Sequence, residues 1–418
     1  MTDVYKVGNG VYAEEGFVMS KAQITFTDFH IRKGSIEFLC TTYEDQKIVS
    51  KDPIYFHFNV PVKPRNELIA IACSTLCGQK YPKITFDLPV NQQVVREISQ
   101  FTGAQVQAAS YQSLKLIVLK IKNRCINLIR RNGNIILNFS GGFDSLATSA
   151  LLPRKQTKLV SMDFGGWFER EKKYFVNFHP YIVSTNFRKL KYDRNSWTFM
   201  GVGAVLLSDY LKAKYNVFGT ILEAARSQIR VNPSGVSSVK TYPFSAAGMT
   251  DVRYSNGLTE IGTIMLMIHY YPDQINRSLQ SLAAENSEKR FRKQVLTQIV
   301  LRKLHQEIPL DLVPPPTLKK ASFGSNIATD FLSLYELKYA GLDVVNHTIV
   351  DIPPEALHMA ESMDLTLFER IHPAFLETIP LHYRKTYLDK LAAAGVVPYT
   401  AKDFEEMEII SKFLRTCD

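Results

Sequence analysis

Residues Asn134–Pro153 read NIILNFSGGFDSLATSALLP. An apolar run leads straight into Ser140-Gly141-Gly142, and a short segment with helical apolar spacing follows. A strand that runs into two glycines and then a helix leaves several backbone N–H groups pointing out of the helix N-terminus. Those donors and the helix dipole favour an anion. Gly141 and Gly142 permit positive φ and let the main chain approach oxygen atoms closely. Ser140 and Ser145 add hydroxyl donors, and Asp144 is placed to orient an amide or to hold Mg²⁺ against phosphates. The stretch predicts a phosphate cradle.

The surrounding sequence supplies a sheet for such a cradle. Four short apolar runs, Ile135–Phe139, Leu159–Phe164, Tyr181–Ser184 and Asn216–Phe218, alternate with helix candidates such as MGVGAVLLSDYLKAKY (Met200–Tyr215). Strands alternating with helices predict βαβ units, a parallel sheet and right-handed crossovers. Upstream, AQITFTDFHI, SIEFLCTTY, PIYFHFNVPV and KITFDLPV carry β-branched and aromatic residues, and QQVVREISQFTG reads as a helix closed by glycine. SLKLIVLKIKNRCINLIRR (Ser113–Arg131) has helical spacing. Downstream, GLTEIGTIMLMIHYY, EKRFRKQVLTQIVLRKLHQE, FLSLYELKYAG, PPEALHMAES and TYLDKLAAAG are helical, while IPLDLVPPPTLKK reads as a proline-rich linker. The expected division is a strand-rich N-terminal module over residues 1–107, an α/β domain with a parallel doubly wound sheet over 108–310, and a helical region over 311–418 that caps the site.

The bulk composition narrows the class. The 418 residues are 45% hydrophobic and 22% charged, as in ordinary globular proteins. No apolar run reaches the roughly 18 residues of a membrane span, and MTDVYKVGNGVYAEEG has neither a basic start nor an apolar core, so a cytoplasmic protein without membrane contact is expected. Among five cysteines, only Cys73 and Cys77 are close in sequence, without a second pair to complete a zinc site; two small buried residues are expected. The net charge of +10 suits a partner that is a polyanion, ATP alone or ATP with RNA. Basic clusters at Lys120–Arg131 and Glu288–Gln294 read as solvated helix faces.

Other phosphate motifs fail. No lysine follows the glycines as a Walker A loop requires, G-x-G-x-x-G is missing, and GVGAVL (Gly201–Leu206) reads as close helix packing. SGGFDS does resemble the SGGxDS signature of the PP-loop ATP pyrophosphatases, whose fold is adenine-nucleotide-α-hydrolase-like and Rossmann-like. With five fixed positions, a chance match in this length is of order one in a thousand. The resemblance spans roughly residues 110–305, and the loop is its specific part. It implies that Ser140, Gly141, Gly142, Phe143, Asp144 and Ser145 hold the β- and γ-phosphates of ATP, with Asp144 and Ser145 catalytic and Asp144 the Mg²⁺ ligand. It also implies that Asp163, Phe164 and Gly165 meet the adenine and that Gly219 lines the site. A buried acidic strand end is the competing expectation for Asp163. TNFRKL (Thr185–Leu190) matches a nucleotide-proximal segment more loosely. Glu223 and Arg226 after the fourth strand face the site or solvate a helix, and YPFSAAGMTDVRYSNGLTE, with Ser245, Gly248 and Glu260, reads as a substrate loop leading to a helix cap.

The implied activity is an ATP-dependent adenylating ligase. A carboxylate or amide oxygen of a small-molecule acceptor attacks the α-phosphorus, pyrophosphate leaves, and an amine, ammonia or sulfur nucleophile displaces AMP. Arg290, Arg292 and Lys293 are the basic candidates. The cysteine cluster that binds zinc in the deazaguanine-synthase relatives is missing from SLAAENSEKRFRKQVLT, so that reaction is not implied. Two alternatives stand beside the ligase: a tRNA-modifying enzyme of the same superfamily, and a non-catalytic nucleotide sensor or assembly protein.

Overall fold

The computed structural model describes residues 22–110, 133–229, 241–317 and 320–417. The expected helix Ser113–Arg131, with its basic cluster and Cys125, lies outside the described residues. Ten strands form one sheet: β1 Gln23–Arg32, β2 Ser35–Glu44, β3 Lys47–Phe58, β4 Lys83–Pro89, β5 Gln105–Ala109, β6 Asn134–Asn138, β7 Thr157–Asp163, β8 Tyr181–Thr185, β9 Ala213–Phe218 and β10 Thr250–Asp251. Their order is β10-β9-β6-β7-β8-β3-β2-β1-β4-β5. The fold is α/β with a large, mostly parallel central sheet of Rossmann-like character.

Strands β6 to β10 are mutually parallel, and their spatial order is 3-2-1-4-5 when β6 is counted as the first. After β6 the chain builds outward through β7 and β8, then crosses back to place β9 on the other side of β6. Such a reversal opens a crevice at the carboxyl ends of the two diverging strands, where ligands of open α/β sheets bind.

The strand-rich N-terminal residues extend this same sheet. β3 pairs antiparallel with β8, Phe56 opposite Thr185 and Phe58 opposite Val183. Asn186 fastens the seam, accepting from the Tyr55 amide at 3.2 Å and donating to the Pro53 carbonyl at 2.8 Å. β3 begins at Lys47, earlier than the apolar run alone implies, because a tight turn with positive φ at Asp45 and Gln46 sets its register against β2.

Helices cover both faces: α1 Asn66–Thr75, α2 Gln92–Thr102, α3 Phe143–Leu151, α4 Glu169–Phe175, α5 Val202–Leu207, α6 Arg226–Ile229, α7 Glu260–Tyr270, α8 Ile275–Leu282, α9 Glu288–Lys303, α10 Ile327–Ala340, α11 Leu342–Val345, α12 Pro354–Ser362, α13 Leu381–Ala393 and α14 Ala401–Thr416. Alternation along β6 shows the division, with Ile135 and Leu137 in one apolar core and Ile136 in the other. The Ile136 core is shared with α1, α5 and the N-terminal strands, and holds Cys40, Cys73 and Cys77 buried. The opposite core joins α3, α7, α8 and α9 to the C-terminal helices. Gly203 sits where an added Cβ would meet Met162 Sδ at 2.8 Å, so GVGAVL is indeed a close helix–sheet contact.

Residues 308–317, expected as a linker, form an extended strap over α8 and α9. Asn276 donates to the Pro309 carbonyl and accepts from the Asp311 amide, at 2.8 and 3.0 Å. Gln294 brackets Val313 in the same way, at 3.1 and 2.6 Å. Paired amide contacts satisfy a strap that has no ladder partner. No helix among the described residues is long and apolar enough to cross a membrane.

Candidate functional site

The loop Phe139–Gly142 leaves β6 at the reversal point of the sheet. Gly141 adopts φ 80°, and a Cβ there would lie 2.9 Å from the Tyr174 ring, so glycine is required twice over. Gly142 caps α3 with extended backbone. The Gly141 carbonyl accepts from Ser278 Oγ at 3.1 Å, and the Gly142 carbonyl accepts from Ser145 Oγ at 3.0 Å. Ser140 Oγ accepts weakly from the Gly142 amide at 3.3 Å and lies 3.3 Å from Ser145 Oγ. The loop's acceptors are thus held from behind. Its donors are not: among the described residues no protein group accepts from the amides of Phe143, Asp144 or Ser145, and the first ladder bond of α3 is Leu146 N–H to the Gly142 carbonyl at 3.0 Å. Ser140 is exposed, which leaves the mouth of the loop open.

The end of β9 presses against the same turn. A Cβ on Gly219 would stand 2.7 Å from Ser145 N, 2.8 Å from Ser145 Cα and 2.9 Å from the Asp144 carbonyl carbon. Behind it, Thr220 Oγ1 donates to Asn256 at 2.9 Å, and Thr148 Oγ1 donates to Ser255 at 2.9 Å. Asn256 and Ser255 belong to the segment expected as a substrate loop, and both are buried supports. Ser245 and Gly248 lie in its turn, where the Ser245 amide donates to the Thr241 carbonyl at 3.0 Å.

A buried ion cluster flanks Asp144. Lys293 of α9 is 3% exposed and places Nζ 3.4 Å from Asp144 Oδ1 and 3.3 Å from Glu260 Oε1. The ammonium also lies 4.9 Å from the centre of the Phe143 ring. Thr263 Oγ1 donates to the same Asp144 oxygen at 3.0 Å. Burial disfavours a charged Lys293, yet Asp144 and Glu260 outweigh it and hold the ammonium above its ordinary range. Burial likewise opposes an ionised Glu260, and Lys293 with Arg292 brings that carboxyl below its usual range. Glu223, on the turn after β9, accepts the Glu260 amide at 2.7 Å and so caps α7. Its second oxygen, Oε2, is buried without a partner among the described residues. Burial first, then the Glu260 carboxylate, pushes Glu223 up to about 8. Arg292 pairs with Glu288 at 2.6 Å and donates to Thr329 at 3.1 Å, while buried Glu336 behind it is pushed up to about 8 by burial against the opposing pull of Arg292.

These positions correct one expectation. The Glu288–Gln294 cluster is not a solvated face, because Arg290 and Lys293 are buried and Arg292 is paired. Lys293 reaches the loop, whereas Arg290 turns toward the strap and donates to the Asp311 carbonyl at 3.3 Å. Of the pair after β9, Glu223 enters the cluster and Arg226 stays exposed. Nothing in the sequence of α9 sets Lys293 apart from Arg290 and Arg292, because the carboxylates that meet it come from elsewhere in the chain.

At the end of β7, Asp163 meets the buried-acid expectation. It accepts from Lys172 at 2.9 Å, from Ser184 at 2.9 Å and from the Gly165 amide at 3.1 Å. Burial opposes its ionisation, and these donors still bring it below its ordinary range. Phe164 packs among Phe168, Phe187 and Phe199, with ring centres 5.6 Å away in each case. Gly165 has φ 63° and open space at its Cβ position. In TNFRKL, Arg188 pairs with Asp193 at 2.9 Å and lies 3.9 Å over the Phe168 ring.

Mg²⁺ fits with Asp144 as its protein ligand. One carboxylate oxygen is engaged by Thr263 and Lys293, the side chain is 34% exposed, and no group of three or more His, Cys, Asp or Glu able to hold a metal occurs among the described residues. An ion there would rely on phosphate oxygens and water for its remaining ligands, as Mg²⁺ commonly does. A groove of about 480 Å³, lined in part by Val295, Leu310, Leu312 and Val344, shares no residue with the loop. Comparison of the chain with protein-family models, curated proteins and solved structures returned no match.

Proposed function

We propose that the chain is an ATP pyrophosphatase-type ligase, in which the turn Ser140–Ser145 grips the β- and γ-phosphates and leaves the α-phosphorus open to an acceptor oxygen. The observation that carries this is the set of outward amides at Phe143, Asp144 and Ser145, set at the reversal point of a parallel sheet beside a buried lysine. Adenylation forms the acceptor O–P bond and breaks the bond to the pyrophosphate oxygen. A nitrogen or sulfur nucleophile then displaces AMP. Such chemistry needs positioning and charge stabilisation more than a protein nucleophile. Lys293 provides a cation within reach of the loop, and Asp144 would hold Mg²⁺, which would supply further positive charge against the phosphates. The Ser145 amide donates to the phosphates.

Thermal stabilisation by pyrophosphate, ATP and AMP tests the proposal. Pyrophosphate and ATP are expected to raise Tm in the presence of Mg²⁺, AMP to do so weakly, and Asp144→Ala to remove most of the gain. Equal stabilisation of wild type and Asp144→Ala, or none by pyrophosphate, would refute it. Nucleotide-dependent stabilisation with no pyrophosphate release across a panel of acceptors would instead favour the non-catalytic sensor.

A further inference from the structure

The protein has two tryptophans, and both stand at the carboxyl edge of the parallel strands. Trp167 follows β7 and is 90% exposed; Trp197 follows β8, ahead of α5, and is 47% exposed. An indole left in water forgoes roughly 2–3 kcal/mol of burial, so two at one edge call for a ligand. Trp197 is not exposed through slackness. The preceding Ser196 caps its turn by accepting the Thr198 amide at 3.3 Å, and Asn195 Nδ2 donates to the Leu76 carbonyl at 2.7 Å. The following Thr198 and Phe199 are buried. The indole packs edge-on to Phe218, ring centres 5.9 Å apart, and the next residue is Gly219, whose Cα abuts Ser145. One residue therefore separates the Trp197 shelf from the phosphate loop. Across the edge, Trp167 follows Gly165 and Gly166, both with positive φ (63° and 56°) and both with open space around them.

We infer that the exposed face of Trp197 is the acceptor subsite and that the acceptor is a planar, conjugated ring bearing the oxygen to be adenylated. This rests on the proposed nucleotide chemistry. A rigid indole offers a flat π surface that recognises a ring of any substitution by stacking, and a fixed platform places the attached oxygen reproducibly. Aliphatic acceptors gain little from such a surface.

Tryptophan emission reports on each indole separately. Trp167→Phe and Trp197→Phe each leave a single emitter, in the full-length chain with Mg²⁺ and α,β-methylene-ATP present. Nicotinate and indole-3-carboxylate serve as planar probes, and succinate as the aliphatic one. A saturable change of about a fifth or more in Trp197 emission, with planar probes binding at least tenfold tighter than succinate, is expected. Trp197→Ala should weaken the planar probes at least tenfold while leaving stabilisation by pyrophosphate unchanged. No response to either planar probe, or equal binding of succinate, overturns the inference. So does a full response to AMP or to the ATP analogue alone, which would make the shelf the seat of adenine. Loss of the pyrophosphate effect in wild type would instead count against the loop chemistry, so the two failures are distinguishable.

Discussion

Gly219→Ala is the most discriminating perturbation of the proposed cradle. Its new methyl group would meet three main-chain atoms at 2.7–2.9 Å, about 0.7 Å inside ordinary van der Waals contact at the closest. No flexible side chain is available to yield, so β9 and the turn at Asp144–Ser145 must separate. Overpacking of this kind costs about 1–3 kcal/mol, a fall in Tm of a few degrees. The larger effect is expected on binding. An amide moved by about 0.7 Å from a phosphate oxygen near 2.9 Å leaves hydrogen-bonding range. Losing one such bond to a charged group is worth about 1.5–3 kcal/mol, or roughly ten- to hundredfold in affinity. Calorimetric titration with pyrophosphate measures it. Gly103→Ala is the control, since its Cβ meets nothing within 4 Å and its left-handed backbone (φ 69°) caps α2 far along the sheet. That variant should lose about 1 kcal/mol of stability and none of its pyrophosphate affinity. If Gly219→Ala binds pyrophosphate within threefold of wild type while Gly103→Ala behaves as stated, the turn is not the cradle.

Lys293→Met removes the cation between Asp144 and Glu260 and should destabilise the fold by about 3–5 kcal/mol, with much of the loss recovered in Lys293→Met/Glu260→Gln; thermal unfolding of the two variants decides. Glu223 has a folded pKa of about 8 against an ordinary 4.5. Above 4.5 the unfolded chain releases this proton while the folded one keeps it, so the group costs stability progressively as pH rises from 4.5 to about 8. Glu223→Gln, which keeps an acceptor for the Glu260 amide, should match wild type near pH 4.5 and exceed it in Tm near pH 8; parallel curves would contradict the buried neutral acid. Gln294→Ala cuts both bonds to Val313, and hydrogen exchange should rise through residues 308–317 well before α9 itself is affected.

Much of the parallel half of the sheet was legible because periodicity and glycine placement act locally. The run Ile135–Phe139, the turn Ser140–Gly142 and α3 follow from apolar spacing and from the need for positive φ at Gly141. Helix α9 followed from spacing as well, but the fate of its cations did not. A lysine is buried when carboxylates from elsewhere meet it, and Asp144 and Glu260 lie 149 and 33 positions away in the chain. β5 and β10 escaped notice because QVQAA is short and only weakly apolar and TD is two residues long; their pairing partners define them. The strap misled through its prolines, which announce an extended chain and say nothing of the amides that hold it.

The seam between β3 and β8 bears on how the chain can be divided. A cut near residue 107 would not release two soluble halves: it would bare a row of unpaired amides along β8 and strip Ile136, Val160 and Val183 of the side chains that cover them. The N-terminal hundred residues behave less as an appended accessory than as the missing flank of the parallel half, and shortened versions made to isolate residues 108–310 are expected to aggregate.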